Sequence, residues 1–142
     1  MGASMERVDL WNRFSREIYG SFIDNHSRSF SDVQKDAVIA WAYDAEVNSG
    51  GHITFFDCFG DVFSINEVAA ALRTVGGEAF AENFLSAAAH IHVPDTEEYG
   101  YMDDDEDAES DPAEDDIYYG MVPPLPDLLE RYIFDNRESI FG

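Results

Sequence analysis

The chain has one cysteine, Cys58, among 142 residues, so it holds no internal disulfide. That excludes the small disulfide-stapled secreted class and fits a reducing compartment, with the cytoplasm as the expected location. Basic residues are scarce: eight Lys and Arg face 30 Asp and Glu, for a formal net charge of −22. A surface of that sign repels nucleic acid and anionic membrane and attracts basic proteins or cations. No apolar run approaches the roughly 20 residues that a bilayer span needs. The opening MGASMERVD carries no apolar signal-peptide core. Phosphate-cradling glycine loops, nucleophile elbows and Cys–His pairs at a recognisable spacing are missing too, and no enzyme is expected.

What is present argues for a folded, all-α chain. Apolar residues make up 45% of it, eleven of them Phe, which is enough for one real core in a single domain over residues 1–142. The spacing predicts five to six helices with an acidic loop before the last. Val8, Trp11, Phe14, Ile18 and Phe22 form an amphipathic stripe for a first helix over about 8–24. Ser31 with Gln34, and Ser64 with Glu67, are capping-box patterns that start two more. Gly76-Gly77 ends the second of these. Phe80, Phe84, Leu85, Ala88 and Ile91 give the next helix its inward side. After Pro123, Pro124 and Pro126, the residues Leu125, Leu129, Tyr132 and Ile133 predict a last helix, with Pro126 at its first position and Ile140 and Phe141 folding back. The helical body is thus expected over about 7–93 and 125–141.

The middle of the chain is the stretch from Trp41 to Gly60. Val33, Ala37, Val38, Trp41, Ala42, Ala45 and Val47 put apolar groups around more than one helix face, the mark of a helix buried against several neighbours. Asn48, Gly50 and Gly51 then supply the backbone freedom for a helix end. Phe55, Phe56 and Phe59 lock the corner into the core. Glu46 and Asn48 are expected to brace it through backbone amides.

These residues also carry a resemblance. Glu46-Val47-Asn48, Gly50-Gly51, Phe55-Phe56 and Gly60, followed by Glu67, Ala70, Leu72, Val75 and Gly76, resemble the signature of a bacterial DNA-mimic protein family typified by DNA mimic protein nineteen. His52 stands where that pattern carries an aromatic. The resemblance implies a helical fold, no catalysis, and an acidic protein that regulates a transcription factor by occupying its DNA-binding surface.

The charge is unevenly distributed. Residues 1–35 balance to zero, and no Lys or Arg occurs between Thr74 and Glu130. The segment 95–116 holds thirteen acids, and like-charge repulsion at that density opposes compaction. Tyr99, Tyr101 and Met102 on one side, and Ile117, Tyr118 and Tyr119 on the other, are placed to pin its ends. Asp103, Asp105, Asp107, Glu109 and Asp111 fall on every second residue, so an extended chain would line their carboxylates up about 6.6 Å apart. Duplex DNA carries one charge per about 1.7 Å of axis. Acids on the helices must therefore add to the segment if it is to imitate phosphate.

The candidate contact residues are Asp103, Asp104, Asp105, Glu106, Asp107, Glu109, Asp111, Glu114, Asp115 and Asp116, and the expected partner is a basic DNA-binding protein. An immunity-type inhibitor of a basic toxin or nuclease is the alternative, with the same contact physics. A metal-dependent hydrolase built on His90, His92 and Cys58 is the remote one. Neither cofactor nor dedicated metal site is expected: read from Asp103 as a calcium loop, the sixth position is Ala108 and not glycine. Direct contact with nucleic acid or membrane is not expected. A homodimer is left open, since two-fold symmetry would extend an acidic face.

Overall fold

The computed structural model describes residues 2–25, 29–91 and 113–141. Every regular element among them is helical, so the fold is all-α. Helix α1 (Gly2–Arg13) runs through a π-helical turn (Phe14–Tyr19) into α2 (Gly20–Asp24). The π turn explains how Phe14, Ile18 and Phe22 all reach the core. Spaced by four, they would drift about 80° around a straight α-helix, and a wider turn removes much of that drift. Val8 lies off this line and is 51% exposed, contrary to the expected stripe.

Helix α3 (Asp32–Phe59) is the hub, in contact with the π turn, α4 (Ile65–Val75), α5 (Glu78–Ile91), α6 (Ala113–Gly120), α7 (Leu125–Asp135) and α8 (Arg137–Phe141). Both capping boxes form. The Ser31 hydroxyl accepts from the Gln34 amide at 3.2 Å and the Gln34 side chain accepts from the Ser31 amide at 3.0 Å. Ser64 and Glu67 make the same exchange at 3.0 and 2.9 Å. Each box satisfies two amides that a helix start otherwise leaves open.

Aromatic rings fill the core in a connected network, with Phe22 and Phe59 joining the rings around Trp41 to those around Tyr43. Trp41 packs on Trp11, Phe14 and Tyr19, with centroids 4.3, 5.1 and 5.7 Å away. Tyr43 is met edge-on by Phe55, Phe84 and Tyr118 at 5.4, 5.7 and 5.4 Å. Full burial of one such ring contributes about 1.5–3 kcal/mol. On α5 the inward line is Phe80, Ala81, Phe84, Ala87 and Ala88, which leaves Leu85 at the rim instead of inside. Helix α7 begins at Leu125, so Pro126 takes its second position and not its first. Leu125, Leu129 and Ile133 are buried as expected, and Ile140 folds back into the core.

The double glycine breaks the helix as expected: Gly50 and Gly51 have non-helical backbone, and a second helical segment follows at once and runs through Phe59. One expectation changes more substantially: the acidic stretch does not run as a loop to Asp116, because α6 starts at Ala113.

Candidate functional site

The kink of α3 is where the body meets the acidic segment. Gly51 has φ 88° and ψ −179°, a conformation that an L side chain rarely adopts. The break frees the backbone amides that open the second half of α3. The His52 amide donates to Asp115 Oδ1 at 2.9 Å, and the His52 ring Nδ1 donates to the same oxygen at 2.6 Å. Asp115 lies on α6, 63 residues along the chain. It therefore acts as a helix cap supplied from a distance, with its carboxylate at the positive end of the helix dipole. A Cβ on Gly51 would fall against Asp115 Oδ2, so the glycine is needed for space as well as for φ.

The line continues inward: the Tyr43 hydroxyl sits 2.5 Å from His52 Nε2. Burial pushes the His52 pKa down, while Asp115 and Glu114 act against that shift. The ring is thus neutral near pH 7, with its proton on Nδ1 toward Asp115 and Nε2 accepting from Tyr43. Burial first, then the charges of Asp115 and Asp44, push the Tyr43 hydroxyl well above its ordinary value, so it remains a donor.

The rest of α6 is fastened on both sides. The Glu114 carbonyl accepts from Asn83 Nδ2 at 3.0 Å, and the Glu114 carboxylate accepts from the Ser86 hydroxyl. Both partners lie on α5. Tyr118 is buried and its hydroxyl donates to the Asp44 carboxylate, which also accepts from Asn48 Nδ2 at 2.9 Å. Burial raises the Asp44 pKa, and these two donors oppose the rise. The Tyr119 hydroxyl donates to the Val47 carbonyl at 2.7 Å. Tyr118 and Tyr119 thus pin the C-terminal end of the segment as expected, whereas Ile117 is 53% exposed and does not.

The corner's expected braces work differently. Asn48 donates to the Asp44 carbonyl at 2.8 Å, and Glu46 accepts from the Cys58 thiol at 3.6 Å. Neither takes a backbone amide; Asp115 does. Phe55 is buried, Phe56 is half-buried and stacks on Phe84 at 5.6 Å, and the Gly60 amide closes the helix on the Phe56 carbonyl at 2.9 Å.

Of the candidate contact acids, Asp103, Asp104, Asp105, Glu106, Asp107, Glu109 and Asp111 lie outside the described residues, as do Tyr99, Tyr101 and Met102. Asp116 is exposed. Glu114 and Asp115 are 4% and 2% exposed and face the body, which removes them from any outer contact surface. Three acids in a first helical turn, then a tyrosine pair and a closing glycine, signal a short helix here but not which of its sides faces the body. Residues 92–112, which connect α5 to α6, hold ten acids and no Lys or Arg. On the body, Arg7, Arg13, Lys35 and Arg73 each pair with a carboxylate, on Glu130, Glu17, Glu67 and Glu78.

An Asp–His–Tyr line has the look of a proton relay, but Tyr43 and His52 are 0% exposed and Asp115 2%, so no substrate reaches it. Among the described residues no group of three or more His, Cys, Asp or Glu side chains is placed to hold a metal ion. The side chains of His90 and His92 lie outside the description. No helix among the described residues is long and apolar enough to cross a membrane.

No curated protein and no solved structure gives a match to the chain. A profile of the DMP19-like protein family matches residues 28–136, from ahead of α3 through the end of α7, and includes the kink and the α6 clasp. Matched over that much of its length, the chain belongs to the DMP19-like protein family.

Proposed function

We propose that this protein is a non-enzymatic DNA mimic, an acidic ligand that occupies the DNA-binding surface of a basic protein such as a transcription regulator. The observation that carries this reading is that a ten-acid sequence free of Lys and Arg connects α5 to α6, and that α6 is held to the body by buried hydrogen bonds. A charged chain tied at both ends loses less freedom on binding than a free tail, so more of its attraction appears as affinity. Exposed acids on the body, Asp57, Asp61 and Asp116 among them, add to the field that steers a basic partner. Membership in the DMP19-like family supports the same reading.

The test is capture from the native host at low salt, with elution in a salt gradient, followed by competition with duplex DNA. The expected result is a basic DNA-binding protein that releases DNA as this chain binds. Changing Asp103, Asp105, Asp107, Glu109 and Asp111 to Asn or Gln should abolish capture without lowering thermal stability. Capture that survives those changes, or that ignores salt, would refute the segment's role. A captured nuclease or toxin whose activity is blocked would redirect the reading to an immunity-type inhibitor.

A further inference from the structure

The clasp between α6 and the kink of α3 contains one imidazole, His52, whose hydrogen bonds tolerate only one protonation state. Asp115 Oδ1 accepts both the His52 amide and the His52 Nδ1–H. That leaves Nε2 as the only ring acceptor, and the Tyr43 hydroxyl is aimed at it from 2.5 Å. A second proton on the ring would set an N–H donor against an O–H donor. His52 and Tyr43 are both 0% exposed, so water offers the displaced hydroxyl proton no ready acceptor.

We propose that His52 is a proton-operated latch: uptake of a proton by its ring breaks the Tyr43–His52–Asp115 line and releases α6, and with it the C-terminal anchor of the acidic segment. The inference concerns the docking of α6 and does not depend on the identity of any partner.

The groups facing His52 do not all push one way. Asp115 and Glu114 from α6 favour the charged ring, and Tyr118 from α6 contributes a ring edge 6.3 Å away. From α3 itself, Tyr43 presents a donor. Helix α5 contributes no charge here; Asn83 and Ser86 bind Glu114. Burial outweighs the two carboxylates, so proton uptake falls below the ordinary histidine value of 6.5. Above that pH the latch is closed; as pH falls below it, the unfastened state, where His52 is solvated, binds the proton better and gains population.

The experiment is amide hydrogen exchange on the full chain at about pH 7.5 and about pH 5.5, corrected for the intrinsic pH dependence of exchange. Wild type should lose up to about tenfold of the protection across residues 113–120 on acidification, while α4 keeps its own. His52→Asn keeps a donor toward Asp115 and cannot titrate, so its protection should be independent of pH. Tyr43→Phe removes the opposing donor, so its release should shift to lower pH by roughly one unit or more. Protection in wild type that is unchanged between the two pH values would overturn the proposal. So would an acid-induced loss that persists in His52→Asn. Should His52→Asn fail to fold, Tyr43→Phe decides, and a release midpoint equal to that of wild type would refute the donor conflict.

Discussion

Replacing Asp115 by alanine separates a clasp from a surface charge more sharply than any other single change. The carboxylate accepts two hydrogen bonds from His52, at 2.9 and 2.6 Å, in a site that is 2% exposed. A hydrogen bond to a charged acceptor has a net worth of about 1.5–3 kcal/mol, and each buried donor left without a partner costs about 1–3 kcal/mol. These contributions overlap, and loss of a cap alone costs about 1 kcal/mol. We expect a destabilisation of about 3 kcal/mol, which for a chain of this size lowers the melting temperature by roughly 10 °C. The assay is thermal and urea unfolding followed by circular dichroism at about pH 7.5, where His52 is neutral. Asp115→Asn keeps an acceptor oxygen and should lose less than half as much. The combined neutralisation of Asp103, Asp105, Asp107, Glu109 and Asp111 should change stability by no more than about 0.5 kcal/mol. An Asp115→Ala protein that melts within about 2 °C of wild type would refute the clasp.

The remaining expectations are narrower. Gly51→Ala places a methyl group against Asp115 Oδ2 at φ 88°, and should cost about 2–4 kcal/mol in urea unfolding, partly by expelling the carboxylate. Ser31→Ala and Ser64→Ala each remove half of a formed capping box and should each cost about 1 kcal/mol in urea unfolding. The Lys35 ammonium first, then the Ser64 amide, holds the Glu67 carboxyl below its ordinary value of 4.5. The contribution of that pair to stability is therefore present above pH 4.5 and lost as pH falls through the folded value. The difference in unfolding midpoint between wild type and Lys35→Met should shrink toward zero on acidification; a constant difference would refute it.

The parts of this fold that were legible in the sequence are those decided by near neighbours. Ser31 with Gln34 and Ser64 with Glu67 announce helix starts because both partners of each bond lie within one turn. Gly50-Gly51 marks a break in the backbone because no other residue is so free there. The partner of that break was not legible, since Asp115 reaches it from 63 residues away and sits in a run of acids. Charge density alone assigns every member of such a run to solvent. Helix α6 also inverts the usual pattern, with Glu114, Asp115 and Tyr118 buried and Ile117 exposed, so hydrophobic periodicity points to the wrong face. His52 carries no sign of its partners in the sequence, and its place between Asp115 and Tyr43 is what gives it a role in the clasp.

The central claim is that a helical body holds a negative segment where a basic protein would otherwise hold DNA. Its most direct test is three-way: the basic protein captured from the host, a fluorescent duplex that it binds, and this chain added in increasing amounts at two salt concentrations. The account predicts that the duplex is displaced stoichiometrically and that apparent affinity falls steeply as salt rises, with a shallower dependence once the five segment acids are neutralised. A stable complex containing duplex, partner and this chain together would contradict it.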